Sequence, residues 1–239
     1  MPKAIIIGAT SGIGEALARE LLGNGYILGL TGRRIERLEE FHRQHPESTH
    51  VKPMDVAQPS EAIHHFQELI EEMGGVDLIV INSGVGFINP DLKWEHEKQT
   101  IDVNVSGFTA IAGAAMQYSS NQGSGHIVGI SSVAALRGNG GAPAYCASKA
   151  FISNYLQGLR QKTAKMKIPV HITDIKPGFV DTPMTRGQEG MFWVASADKA
   201  AKQIHSAIQK RKTNAYVTKR WRLIAWLFRM LPDWIYNRL

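Results

Sequence analysis

The segment that most restricts how this chain can fold is a glycine-rich junction, Gly8-Ala9-Thr10-Ser11-Gly12-Ile13-Gly14. It follows the apolar run of residues 4–7 and opens an amphipathic stretch over residues 12–23. A strand turning at once into a helix through three glycines leaves the helix N-terminus open. Its free N–H groups and dipole favour an anion such as a pyrophosphate. The spacing is Gly-x3-Gly-x-Gly, not the usual dinucleotide Gly-x-Gly-x2-Gly. Such a run also serves a plain strand-to-helix turn.

The rest of the chain repeats the alternation. Short apolar strands are expected at residues 26–31, 50–53, 78–82, 125–131, 170–175 and 215–218. Helical patterns fall at 35–45, 60–72, 95–119, 144–166 and 196–210, with Ser60 read as a cap. This predicts an α/β fold with a doubly wound, mostly parallel, Rossmann-like sheet of about seven strands. Among 239 residues, 44% hydrophobic, no compositional break appears before about residue 210. The expectation is one domain over residues 1–210, then a tail over 211–239. The single Cys146 excludes an intramolecular disulfide and fits a reducing, cytoplasmic compartment. The N-terminus does not read as a signal peptide, and no apolar run is long enough to span a bilayer. The histidines at 42/45 and 64/65 lack companion ligands, so no metal site is expected.

Further motifs follow in order: Asn82-Ser83-Gly84, Asn104 in Asp102-Val103-Asn104, Ser132, Tyr145-Cys146-Ala147-Ser148-Lys149, and Pro177-Gly178 with Thr182. With the glycine junction they resemble the short-chain dehydrogenase/reductase family, from Lys3 to about Thr182. The family's Asn-Asn-Ala-Gly motif is departed from at Ile81 and Ser83. The resemblance implies a dinucleotide cofactor held by Gly8, Thr10, Ser11, Gly12, Ile13, Gly14, Asp55, Val56, Asn82, Gly84, Pro177, Gly178 and Thr182. Asp55 would face the adenine, although an aspartate there also serves as a turn cap. The implied catalytic residues are Asn104, Ser132, Tyr145 and Lys149. Lys149 would also hold the nicotinamide ribose, and Asn104 a relay water. A homo-oligomer, dimer or tetramer, is implied through the two long helices. Ile101, Val105, Phe108, Ala112, Met116, Phe151, Ile152, Tyr155 and Leu159 are the candidate contacts.

The chemistry has its own physical case. Hydride transfer to a carbonyl leaves charge on oxygen, which needs a proton donor and hydrogen bonds. Tyrosine ionises near 10 in water. Lys149, four residues after Tyr145 on a helix, shares its face and would lower that value. Ser132, just past a strand, is placed to hold the substrate oxygen. At the other end the chain reads Leu30-Thr31-Gly32-Arg33-Arg34. An acid there would select NAD, whereas arginines suit the extra phosphate of NADP(H). Arg33 and Arg34 therefore point to NADP(H), unless they are ordinary surface residues opening a helix.

The expected function is an NADP(H)-dependent oxidoreductase interconverting a carbonyl and an alcohol on a small, lipophilic substrate such as a keto-lipid or steroid-like molecule. The alternative is a non-catalytic cofactor-binding sensor or interaction protein at a membrane surface. Loops 137–143 and 185–194 would shape the pocket, the second closing as a lid on Gly187 and Gly190. Its Met191, Phe192 and Trp193 suit either a lipophilic substrate or packing against the tail.

From Ser206 onward there are eight Lys or Arg and one acid, so the basic excess belongs to the tail. The tail is too apolar for a nucleic-acid arm. Over residues 219–231 a helix would align Trp221, Ile224, Ala225, Phe228 and Leu231, widened by Leu223, Trp226, Leu227 and Met230. Pro232 would begin a second short helix, with Asp233 near its start, adding Trp234, Ile235 and Leu239. The aromatic and basic content favours an interfacial helix on anionic lipid, making the protein peripheral to a membrane. The competing reading packs this face on the protein's own body or a partner subunit.

Overall fold

Ala4, Ile5, Ile6 and Ile7 are all apolar, so a strand built from them must be covered on both faces. The computed structural model, which describes residues 1–187 and 190–238 (Arg229 in its backbone alone), meets that demand. The elements are β1 (Lys3–Ile7), α1 (Gly12–Leu22), β2 (Ile27–Gly32), α2 (Ile35–Gln44), β3 (Thr49–Pro53), α3 (Pro59–Met73) and β4 (Leu78–Ile81). They continue with α4 (Trp94–Ile101), α5 (Phe108–Gln122), β5 (Gly125–Ile130), α6 (Pro143–Met166) and β6 (Val170–Pro177). Last come β7 (Val180–Asp181), β8 (Ala195–Ser196), α7 (Ala197–Gln209), β9 (Asn214–Val217), α8 (Trp221–Met230) and α9 (Asp233–Tyr236).

Seven strands form one parallel sheet in the order β3-β2-β1-β4-β5-β6-β9. The order reverses between β1 and β4, which opens a crevice at their carboxyl ends. Phe66, Phe108, Ile152 and Leu156 fill one face from α3, α5 and α6. Leu17, Leu21, Ile204 and Ile208 fill the other from α1 and α7.

A buried ion pair fixes the end of β5 next to Ser132. Lys176 pairs with Asp174, and both are almost fully buried. Ser131 donates to Asp174, and Lys176 donates to Ser153 on α6 at 2.9 Å. A buried charge needs such partners, because an unpaired one would cost several kcal/mol.

Several expectations are corrected. Ser60 is not the cap of α3: Gln58 is, with Pro59 in the first turn. Proline needs no N–H partner there and its φ suits a helix start, so the helix begins one residue early. The long helix is interrupted by a π-helical segment, Asp102–Gly107, centred on Asn104. Pro232 is the N-cap of α9, with Asp233 in its first turn. Leu239 lies outside the described residues, as do Gln188 and Glu189 of the expected lid. Of the proposed oligomer contacts, Phe108, Ala112, Met116, Ile152 and Leu159 are buried in the protomer's own core. The helix faces carrying them turn inward to the sheet.

On β5, burial and the neighbouring His171 and Arg211 hold the His126 pKa down at about 4. Its Nε2 lies 2.8 Å from the Thr173 hydroxyl, which itself donates to the Lys212 carbonyl. The imidazole must therefore be the donor to Thr173. Because the folded value lies below the unfolded one near 6.5, the unfolded chain binds the proton first. This contribution to stability is complete above about pH 6.5 and is lost as pH falls toward 4. Melting temperature should drop over that interval less steeply in His126→Gln than in the parent. Parallel curves would remove His126 from the acid transition.

Candidate active site

The crevice is built from backbone first. Gly8 takes φ +90°, and its N–H and that of Ala9 both donate to the Thr31 carbonyl. Asn82, just past β4, donates from Nδ2 to the Gly8 carbonyl at 2.7 Å. Gly14 lies so close that a Cβ there would sit 2.1 Å from that carbonyl oxygen. Any larger residue would push α1 off the sheet. The result is a cleft of about 640 Å³ along the carboxyl edge.

Most of the expected cofactor residues meet in it. Gly8, Thr10, Ser11, Gly12, Ile13, Arg33, Arg34, Asp55, Val56, Asn82, Gly84, Pro177, Gly178 and Thr182 all line the cleft, as do Ser132, Tyr145 and Lys149. Gly14 and Asn104 lie behind its wall. Asp55 caps its own turn, accepting from the Ala57 N–H at 3.0 Å, while facing the cleft. Arg34 donates to the hydroxyls of Thr10 and Ser11 at 2.8 and 2.7 Å. Arg33 is exposed and has no acidic partner among the described residues. A Cβ at Gly32 would lie 2.6 Å from the Thr10 methyl, so a side chain there would require Thr10 to shift. The cradle, its open helix N-terminus and its two arginines fit a phosphorylated dinucleotide.

At the other end Ser132 lies just past β5, and Tyr145 and Lys149 project from α6. Ser132 Oγ caps the following turn, accepting from the Ala134 N–H at 3.1 Å. Its hydroxyl donates to the Pro177 carbonyl at 3.4 Å and faces the Tyr145 phenol. Lys149 is buried, and its ammonium donates to the Ile130 carbonyl at 3.0 Å, 5.8 Å from the centre of the Tyr145 ring. Burial lowers the Lys149 pKa to about 8. Burial pushes Tyr145 up from 10, with the Ser132 hydroxyl opposing. The expectation that Lys149 pulls the tyrosine down is thus not met in this arrangement, since the ammonium is turned to a carbonyl.

Asn104 is fully buried and braces the wall. It donates to the Val85 carbonyl (2.7 Å) and Ser148 Oγ (3.0 Å), and accepts from the Val85 N–H (2.9 Å). Its side chain ties the loop after β4 to α6 at Ser148, next to Lys149 and one turn from Tyr145. Sequence reasoning missed Gly86 in that loop, where a Cβ would lie 2.7 Å from the Tyr145 ring. The repeated glycines of Gly84-Val85-Gly86 were the available signal. It also missed Phe87, which lines the cleft and stacks on His96 at 4.5 Å between centroids.

The expected substrate loops behave differently. Phe192 and Trp193 pack against Trp221 of the tail, with centroids 5.0 and 6.0 Å apart, and do not line the cleft. Loop 137–143 holds the tail as well, through Arg137. Met184 and Thr185 are the parts of the following segment that reach the cleft.

A parallel sheet with a glycine cradle at its switch point, ending beside a serine, tyrosine and lysine, defines a dinucleotide-dependent oxidoreductase. The chain belongs to the short chain dehydrogenase family, which it matches over residues 2–191. It is 36% identical over 187 residues to an uncharacterized oxidoreductase of Myxococcus xanthus, covering 76% of this chain and 73% of that one. Its fold is similar to that of a 3-ketoacyl-(acyl-carrier-protein) reductase from Brucella melitensis complexed with NADH. There the TM-score is 0.81 at 20% identity, over 90% of this chain and 95% of the other. An alcohol dehydrogenase from Thermococcus sibiricus complexed with 5-hydroxy-NADP gives a TM-score of 0.79 at 24% identity, over 90% and 94%.

Gly86→Ala should displace the Tyr145 ring. A shift of about 1 Å in a reacting group can cost about a hundredfold in rate. Turnover should fall on that order while the melting temperature stays close to the parent's. Full activity in Gly86→Ala would show that the ring has slack.

Proposed function

We propose that the protein is an NADPH-dependent reductase of lipophilic ketones or aldehydes, able to run in reverse on the alcohols. The observation that carries this reading is the grouping of Ser132, Tyr145 and Lys149 at one end of a cleft whose other end bears Arg33 and Arg34. The bound dinucleotide supplies the hydride. Tyr145, kept protonated by burial, gives its proton to the carbonyl oxygen as charge develops there. When substrate binds, Ser132 turns its single hydroxyl proton to the same oxygen, while its Oγ stays held by the Ala134 N–H. Lys149 sets a positive charge at the floor of the site, and Asn104 acts as a positioning residue that holds the loop and α6 in register. A sensor without catalysis would not need this set intact.

The substrate class rests on the wall around Tyr145. Val85 and Phe87, either side of the Gly86 that packs on the Tyr145 ring, line it, and an apolar wall favours a lipophilic body beside the polar carbonyl. Preference for NADPH rests on Gly32, which stands without a side chain where an acid would select NAD, and on the two arginines. The Thermococcus sibiricus complex carries an NADP analogue, but the Brucella melitensis complex carries NADH. A homo-oligomer would use the surface that Ile101, Val105, Phe151 and Tyr155 leave on α4 to α6.

NADPH oxidation across a panel of ketones, aldehydes and 3-keto lipids tests the reading directly. Tyr145→Phe should retain NADPH binding and lose more than about a hundredfold in kcat, the range general acid catalysis supplies. Substantial turnover in that variant on the preferred substrate would refute the role. Arg33→Ala and Arg34→Ala should each weaken NADPH by about tenfold or more, as expected for a lost charged hydrogen bond, and leave NADH unchanged. Equal losses for both cofactors would mean that neither arginine reads the extra phosphate.

A further inference from the structure

The tail carries two apolar faces, and the body uses one of them. Trp221 is 3% exposed and lies in an aromatic cluster with Phe179, Phe192 and Trp193. Its indole rests on Gly178, where no side chain would fit. Arg137 donates to the carbonyls of Phe228 (3.0 Å) and Leu231 at the end of α8 and pairs with Asp233 at 2.6 Å. Its guanidinium also covers the Tyr236 ring, and the Tyr236 hydroxyl donates to the Gly138 carbonyl at 2.7 Å. The two helices are therefore a fixed part of the surface. The face expected to meet lipid, led by Trp221 and Ala225, is the one packed inward.

The other face stays open. Leu223, Trp226, Leu227 and Met230 recur at i, i+3, i+4 and i+7 and are all exposed, Trp226 by 65%. Trp234 on α9 is exposed as well. Lys219, Arg220 and Arg222 border it, all exposed. We propose that this second face is a docking surface for an anionic phospholipid membrane, with α8 lying in the plane of the interface.

Three observations favour that occupant. The basic excess of the whole chain lies after Ser206; Lys219, Arg220 and Arg222 of it stand at the start of α8 beside this patch, whereas Lys210, Arg211 and Lys212 precede β9. Tryptophan and aliphatic side chains on one side with lysine and arginine beside them match an interfacial helix on anionic lipid. Among the described residues no helix is long and apolar enough to cross a bilayer, so the contact is with a surface. A second copy paired with α8 in the parallel sense would bring the basic border against itself, and the oligomeric state is therefore one arm of the test. The surface continues toward the cleft: Arg220 lies over the Trp193 ring at 5.3 Å, and Phe192 and Trp193 are partly exposed. Phe192 packs on Phe179, the residue after Gly178 of the cleft. Docking would hold the substrate end near a pool of lipid-soluble molecules.

Flotation tests the docking without reference to turnover, so it stands or falls apart from the catalytic reading. Full-length protein should float with phosphatidylcholine vesicles containing about one third phosphatidylglycerol at low salt. It should float far less with phosphatidylcholine alone or at high salt. The triple variant Leu223→Ser, Trp226→Ser, Met230→Ser should bind the anionic vesicles at least tenfold less, with its melting temperature and NADPH binding as controls for folding. Lys219→Glu with Arg222→Glu, which leaves every apolar side chain in place, should show the same loss. The proposal is overturned if the parent stays unbound to anionic vesicles at low salt, or if both variants float as it does. It is also overturned if light scattering finds a dimer that the triple variant breaks while vesicles bind neither protein, which would make a second copy the occupant.

Discussion

The contact on which the cleft depends is the approach of Gly14 to the Gly8 carbonyl. That carbonyl also accepts from Asn82, while the Gly8 and Ala9 N–H groups reach Thr31 and those of Asn82 and Ser83 reach Ile7. Three strands, β2, β1 and β4, are thereby tied to one turn at the point where the sheet order reverses. Each hydrogen bond contributes only about 1 kcal/mol net. Their importance lies in direction: they aim the N-terminus of α1 across the crevice and leave its first N–H groups open. Widening Gly14 by one methyl would act on all of these at once.

The polar end of the cleft obeys a different constraint, desolvation. Lowering Lys149 from 10.5 to about 8 means that keeping its charge costs on the order of 3 kcal/mol more than in water. The Ile130 carbonyl is the acceptor that offsets part of this. The same burial opposes a tyrosinate at Tyr145, so the protein alone holds the phenol as an acid. Helical spacing places Tyr145 and Lys149 on one side of α6 but does not say where a flexible ammonium points. Spacing alone therefore implies a lowered tyrosine, while the side-chain geometry gives a raised one.

What was legible in the chain followed periodicity and glycine. The sheet strands and the helices between them were readable, since their apolar repeats are long enough to be distinct. The two-residue strands β7 and β8 carry no such signal. The π segment at Asn104 was unreadable for another reason: its inserted residue is favoured by bonds from Asn104 to Val85 and Ser148, far apart in sequence. The Asp174–Lys176 pair and the Arg137 clasp were missed likewise, because a charged residue names its partner only in three dimensions. The motif residues of the cleft needed no such knowledge, apart from Gly14 and Asn104, which the structure puts one layer back as supports.

The tail shows how a sequence can contain the right elements and still mislead about their use. Its apolar arc is too wide to be buried by one contact, so the body must select a part of it. Selection falls to the partner surface. Gly178 offers a flat seat for an indole, Phe179 and Phe192 flank it, and Arg137 satisfies carbonyls at the end of α8 that would otherwise need water. Trp221 alone meets that seat, since it begins the helix directly after β9. Rotation to bury Trp226 instead would forfeit the seat and the Arg137 contacts together. A tryptophan side chain buries roughly 200 Å², and at about 25 cal/mol/Å² a mostly exposed one leaves about 3 kcal/mol of burial unrealised in the protomer. With Leu223, Leu227 and Met230 beside it, that unrealised burial is concentrated on one rigid strip with a basic border.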